Sequence, residues 1–308
     1  MTRSPFLTDE DPLAEPDPVA RAIAHFRLSV RCMVTPMESY SSTVRLLTLA
    51  SGERVVLKIP YTPLKFVREV TALQDLTDLP VPRLIDAWAP EGDSTGALLI
   101  AHLPGDPMQV PAPLGLVRDM GRLLAGLHLH RLPNFGEVHE SADDAGLDFW
   151  ETMSRRFDLW VETCQGVVAD DLLLRIRRAH DDLSADLPSA DGPCWVHADF
   201  RPGNVLVADR KLTGLIDFES ARGGSADLDF VKVSHALFDE QSESRTAFLA
   251  GYDTVRPHPD IDRTLPYYRL HNAVGGLAWC IRRTDIHDPF YRENYDVVQQ
   301  ILEHQGVG

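Results

Sequence analysis

The 308-residue chain has no long apolar run, no basic cluster and little cysteine, and each absence removes a class of function. A membrane-crossing helix needs about 20 consecutive apolar residues. None is present, and the opening segment "MTRSPFLTDEDPLAEPDPVA" lacks the apolar centre of a secretory signal. A cytoplasmic protein with no membrane partner is the expectation. The four cysteines, Cys32, Cys164, Cys194 and Cys280, form no C-x-x-C pair and no paired cysteine–histidine set of the zinc-site kind. That argues against zinc and disulfides and for reduced, mostly buried thiols. Acidic residues outnumber Lys and Arg by 46 to 30, a formal charge of −16, so the basic footprint of nucleic-acid binding is missing. A surface of this sign aids solubility and attracts cationic ligands. Lysine is scarce beside abundant arginine; with only Lys58, Lys65, Lys211 and Lys232, each well-placed lysine carries weight.

What is present reads in segments. Residues 1–18 are acidic and proline-rich, with too little apolar content for a core, and read as a flexible arm. From Val19, "VARAIAHFRLSV" has helical spacing, and "TVRLLTLASGERVVLKI" reads as two strands around a turn at Ser51-Gly52-Glu53. The next segment, "TPLKFVREVTALQDL", places Phe66, Val70, Leu73 and Leu76 on one helix face behind a cap signal at Thr62-Pro63. Two more strands are expected in "VPRLIDAWAP" and "TGALLIAHLPG". Prolines 104, 107, 111 and 113 with Gly105 then mark a boundary near residue 104. Beyond it lie amphipathic helices in "PLGLVRDMGRLLAGLHLHRL", "DFWETMSRRFDLWVETC" and "DDLLLRIRRAHDDLSADL", and mostly helix after Ser225. The pattern predicts an α+β chain: residues 19–103 a sheet crossed by one helix, and 104–308 a larger, mainly helical part.

One loop stands out. "VHADFRPGNVLV" sets a polar island between two apolar strand-like ends, with Asp199 and Asn204 five residues apart and Asp217 thirteen further on, at the end of "LTGLI". Oxygen ligands on two adjoining loops, Asn204 and Asp217, suit a hard cation such as magnesium. Asp199 then remains to orient a hydroxyl. Singly, each is an ordinary turn residue; the joint spacing gives them meaning.

These residues resemble the protein-kinase catalytic loop, H-R-D followed by x-x-x-x-N, and its D-F-G metal site. Here the positions hold His197-Ala198-Asp199, Asn204 and Asp217-Phe218-Glu219. The closer resemblance is to the aminoglycoside phosphotransferase and choline kinase family, in its small-molecule antibiotic kinase branch. Members carry H-G-D then N, I-D-W/F-E and a later Asp, and this chain has "VHADFRPGNVLV", "GLIDFES" and "GSADLDFVK". The resemblance runs from the hairpin near residue 40 through "GRLLAGLH" to "YYRLHNAVGGLAWC", most of the chain. It implies a protein-kinase-like bilobal fold, with a nucleotide-binding N-lobe (19–103) and a C-lobe (104–308) holding the catalytic loop and acceptor site.

Carried over residue by residue, the resemblance makes Asp199 the catalytic group and Asn204 and Asp217 the Mg2+ ligands. Lys58 grips the nucleotide phosphates with Glu69 as its ion-pair partner, and Ala101, His102 and Leu103 offer hinge backbone to the base. His197 braces the loop. Asp227 and Asp229 lie where the family has a helix-start acid that ties down the catalytic loop or lines the acceptor site; Asp227 is taken as support, and Glu219, Asp229 and Trp150 with the late helix as the acceptor wall. Three departures stand out. The stretch matching the glycine-rich phosphate loop is "TPMESYSSTV", which has no glycine, so Ser41, Ser42 and Thr43 are the candidates to bind phosphate through hydroxyls. Ala198 replaces the usual glycine. Glu219 stands where protein kinases have the glycine of D-F-G, which favours small-molecule over protein acceptors.

The implied activity is transfer of a phosphoryl group from ATP or GTP to a hydroxyl of a small molecule. An antibiotic, of aminoglycoside, nucleoside or peptide type, is the leading acceptor, giving resistance or self-protection; a metabolite such as an amino sugar, choline or homoserine is the alternative. A non-catalytic nucleotide-binding protein of the same fold is the rival of another class. A metallohydrolase built on His197, Asp199 and Asp217 leaves Lys58, Glu69 and Asn204 without a role. No oligomeric state is implied.

Overall fold

A computed structural model describes residues 17–36, 41–138, 148–283 and 285–304. The chain divides into two compact units, one running through Val70 and resuming over Pro82–His102, the other taking Thr71–Val81 and everything from Leu103. Of the expected arm 1–18, residues 1–16 lie outside the described residues, and Pro18 already opens the first helix. No described helix is long and apolar enough to cross a membrane.

The first unit contains α1 (Pro18–His25), β1 (Val30–Val34), β2 (Ser42–Leu49), β3 (Arg54–Pro60), the start of α2 (Pro63–Asp75), β4 (Leu84–Trp88) and β5 (Ala97–Ala101). The strands form one antiparallel sheet in the order β1-β2-β3-β5-β4. Helical spacing from Val19 to Val30 overstates α1. It stops at His25, Arg27 turns the chain back at φ 52°, and Val30 opens a strand paired with Leu49. A left-handed residue cannot continue a right-handed helix, and the run Val30–Val34 suits a strand.

The β2–β3 register sorts side chains by face. Thr43, Arg45 and Leu47 lie opposite Ile59, Leu57 and Val55, and Ser42, Val44 and Leu46 lie opposite Pro60, Lys58 and Val56. The first face carries the core: Leu47, Val55, Leu57, Ala97 and Leu99 close against Val19 and Ala22 of α1. Each large apolar side chain buried there contributes about 1.5–3 kcal/mol. Lys58 belongs to the other face.

The second unit contains β6 (Asp106–Pro107), α3 (Leu114–Leu127), α4 (Phe149–Cys164), α5 (Asp170–Ser184), β7 (Cys194–Val196), β8 (Val205–Ala208), β9 (Lys211–Leu215), β10 (Arg222–Gly224), α6 (Phe230–Val233), α7 (Ser244–Tyr252), α8 (Ile261–Arg282) and α9 (Pro289–His304). Its main core joins α4, α5, α8 and α9 through Phe157, Val161, Ile176, Val274, Leu277 and Leu302. The helices α3 and α7 meet at Gly121 and Gly251, where an added Cβ overlaps a backbone carbonyl of the facing helix. This close approach brings His128, just past α3, to Tyr252 at the end of α7. Two short ladders frame the polar loop: β7 pairs with β10, and β8 pairs with β9 and β6.

Candidate active site

The polar loop runs from the end of β7 to the start of β8, so strands hold both its ends. Inside it, Asn204 closes a tight turn through its own N–H on the Arg201 carbonyl, at 2.9 Å. The Asn204 amide nitrogen donates to both the backbone oxygen and the Oδ2 of Asp199, each at 2.8 Å. Arg201 Nε also reaches Asp199 Oδ2, at 3.2 Å. Two donors therefore fix one Asp199 oxygen. Its other oxygen, on a partly exposed residue, accepts no hydrogen bond from the described residues.

A second layer holds the loop backbone. Asp229 accepts the Ala198 N–H on Oδ1 at 2.6 Å and the His197 N–H on Oδ2 at 2.7 Å. Oδ2 also meets His128 Nε2 at 3.2 Å, and His128 Nδ1 meets the Tyr252 hydroxyl at 2.7 Å. These groups are buried. Ala198 sits at φ 60°, a left-handed conformation that glycine adopts freely and alanine pays about 1 kcal/mol to hold. The two amide bonds from Asp229 pin that conformation. His197 faces the Ile216 carbonyl through Nε2 at 3.0 Å and accepts the Asp199 N–H on Nδ1 at 3.3 Å. The tautomer protonated on Nε2 satisfies both bonds.

Of the two roles open to Asp229, tying down the loop or lining the acceptor site, both its oxygens serve the first. Replacing it with asparagine is expected to destabilise the protein by about 2–4 kcal/mol. An amide presents one oxygen and one NH2 group where two N–H donors point, so one buried donor loses its acceptor. Thermal melting checks this, and an unchanged melting temperature contradicts the assigned contacts.

Asp217 follows β9 in a left-handed conformation, φ 73° and ψ 60°. The bond from Ile216 N–H to the Asn204 carbonyl, 3.0 Å, ties it to the loop. Its carboxylate lies within 4.8 Å of that of buried Glu219. The Asn204 nitrogen is used on Asp199, so the ligand atom Asn204 can offer is Oδ1, beside the carboxylate oxygens of Asp217 and Glu219. An all-oxygen set of this kind fits Mg2+. Glu219 thus stands beside the metal-ligand candidates as well as among the acceptor candidates.

Other expected wall residues are built into the core. Trp150 donates its indole N–H to the Pro188 carbonyl at 3.0 Å and meets Tyr267 edge-on. Tyr267 and Tyr268 of the late helix are buried, and the Tyr268 hydroxyl goes to Asp227 at 2.9 Å. Burial raises the pKa of Asp227, and hydrogen bonds from Ser225 and Tyr268 oppose the rise. Cys194, on β7 just before the loop, has its thiol pushed up to about 12, chiefly by burial and then by the nearby carboxylates of Asp229 and Asp191. It is no nucleophile at neutral pH.

In the first unit Lys58 Nζ and Glu69 Oε2 form a buried ion pair at 2.6 Å. Thr43 lies on the α1 side of the sheet, the face away from Lys58, so it cannot share a phosphate with that lysine. Ser42 is on the Lys58 face, buried opposite Pro60, and the Ser41 carbonyl accepts the Tyr61 N–H at 3.0 Å. Residues 37–40 of the glycine-free stretch lie outside the described residues. Ala101 gives its N–H to the Arg83 carbonyl at 2.9 Å, which removes it as a donor to a base. His102 closes the unit with its pKa lowered by burial and then by Arg54. Leu103 lies over Gly214 of β9.

Sequence reasoning missed His128 and Tyr252, and had Tyr268 only within the late helix expected to wall the acceptor site. His128 is 101 residues from Asp229, and no local spacing links the two. The one available signal was a histidine ending an otherwise apolar helix face, "LLAGLH".

A sequence model of the phosphotransferase enzyme family matches residues 34–267. Among curated proteins, the chain is 30% identical over 189 residues to homoserine kinase of Rhizobium johnstonii, covering 60% of this chain and 56% of that protein. Homoserine kinase of Neisseria meningitidis serogroup B is 28% identical over 210 residues, 63% and 61% of the two chains. The chain thus spans less than two thirds of the length of these relatives. Among solved structures, aminoglycoside phosphotransferase APH(4)-Ia with ADP and hygromycin B superposes with a TM-score of 0.70 at 18% identity, covering 92% of this chain and 97% of that one. Macrolide 2'-phosphotransferase type I gives 0.63 at 17% identity, covering 92% and 95%. At such identities the likeness shows the fold, a protein-kinase-like α+β architecture.

Proposed function

Because the chain belongs to the phosphotransferase enzyme family, we propose that it transfers the terminal phosphoryl group of ATP or GTP to a hydroxyl of a small molecule. The observation that carries this reading is Asp199, with one oxygen fixed by Asn204 and Arg201 and the other open. Asp199 orients the acceptor hydroxyl and takes up its proton as the oxygen attacks in line. Asn204 and Asp217, with Glu219 beside them, would hold Mg2+, which would supply charge neutralisation on the transferred group. Lys58, steadied by Glu69, grips the nucleotide phosphates. The solved structures of related fold include one holding ADP and one holding GDP, which supports a nucleotide donor of either kind.

Lys58→Met is expected to raise the nucleotide KM about 10-fold or more, since it removes a charge-assisted contact to phosphate. It also leaves Glu69 as an uncompensated buried charge, so Lys58→Met/Glu69→Gln is the control for folding. Calorimetric titration with ADP checks both variants, and unchanged affinity removes Lys58 from the nucleotide site.

For the acceptor, a small hydroxylated metabolite is the first reading. The curated relatives are homoserine kinases, and Asp229, a carboxylate expected to receive a polycation, is spent on the loop backbone. A hydroxylated antibiotic is the second, supported by the antibiotic kinases of like fold. Acceptor-stimulated nucleotide turnover across amino alcohols, hydroxy amino acids, amino sugars, aminoglycosides and macrolides separates the two. Turnover confined to the antibiotics reverses their order.

A further inference from the structure

Lys232, on α6, lies three residues beyond Asp229, the residue that holds the catalytic loop. Its ammonium sits over the Phe290 ring of α9, 5.7 Å from the centroid. Asp199 and Glu293 attract that charge and Arg201 repels it, so Lys232 is within electrostatic reach of the catalytic carboxylate. The surrounding basic groups have fixed partners: Arg201 is on Asp199, and Arg269 forms a two-pronged pair with Asp239 at 2.9 Å, which also meets His235 at 3.4 Å. Among the described residues, no carboxylate lies within 4.0 Å of the Lys232 ammonium. Burial pushes its pKa down, the direction expected for an ammonium that has lost water without gaining a fixed counter-ion. One anion there offsets that cost.

We propose that Lys232 anchors a carboxylate of the acceptor, which makes the acceptor a small hydroxy acid or hydroxy amino acid. The proposal rests on the phosphotransferase reading and narrows it. It places the negative end of the acceptor on Lys232 and the hydroxyl at the open oxygen of Asp199. A polycation brought to the same place meets Lys232 and Arg201 with like charge.

The test compares ω-hydroxy amino acids with their carboxamides and with amino alcohols, pairs that differ in the negative charge. In the wild-type protein the acids are expected to be phosphorylated with a KM about 30-fold or more below that of the amides. Lys232→Met is expected to raise KM for the acid by a similar factor with little change in kcat or in the nucleotide KM, and to leave the amide's KM where it was. Lys232→Arg is expected to restore part of the difference. Amides or amino alcohols accepted as well as acids overturn the proposal and leave the kinase reading standing. A fall in kcat with a shifted pH profile at unchanged KM also overturns it, because Lys232 then acts through Asp199. If no compound is phosphorylated and calorimetry finds no binding of the acids, both readings fall together.

Discussion

Asp199→Asn is expected to keep the fold and nucleotide affinity and to lower turnover by about 10²-fold or more. The geometry makes the substitution specific. Asn204 and Arg201 both donate to Oδ2, so an asparagine must keep its oxygen there and turn its NH2 to the open side. A donor then stands where the acceptor hydroxyl needs a base, while the loop's own hydrogen bonds survive. Stopped assays of product formation with the purified variant, beside an ADP titration, check both halves. Near-normal turnover removes Asp199 from its assigned role.

The second large effect is expected at Asp217. Its removal should abolish magnesium-dependent turnover, a loss of about 10³-fold or more, since charge neutralisation on the transferred group supplies much of the catalysis in this chemistry. Alanine confounds the test, because residue 217 sits at φ 73°, where alanine adds backbone strain. Asparagine tolerates that conformation and removes only the charge. Glu219→Ala is expected to weaken the dependence on magnesium with a smaller loss at saturation. Magnesium titrations of turnover for the Asp217→Asn and Glu219→Ala variants give the comparison, and equal losses reverse the two assignments.

Local pattern carried most of the strands and helices into the sequence reading. The hairpin of β2 and β3 shows as alternation around Ser51-Gly52-Glu53, and α2 as apolar residues at three- and four-residue spacing. The boundary of α1 did not show, because it depends on a single residue, Arg27, adopting positive φ. At the site, the spacing of Asp199, Asn204 and Asp217 was legible, as they lie on one loop and one hairpin. Their support was not. Asp229 reaches back across more than thirty residues to the amides of His197 and Ala198, and its partner His128 comes from a helix far upstream. The resemblance left Asp229 either tying down the loop or lining the acceptor site; only tertiary contact shows both its oxygens on the loop amides. Thr43 failed for another reason: a hydroxyl beside a strand start is noticeable in sequence, but its face is set by register.

The most direct test of phosphoryl transfer by this chain is to incubate the purified protein with magnesium, γ-labelled ATP or GTP, and hydroxylated metabolites and antibiotics, and to follow the label. Label is expected in a phosphate ester of at least one acceptor, dependent on magnesium and lost in Asp199→Asn. Label found only as free phosphate, released equally by wild type and Asp199→Asn whatever acceptor is present, contradicts it.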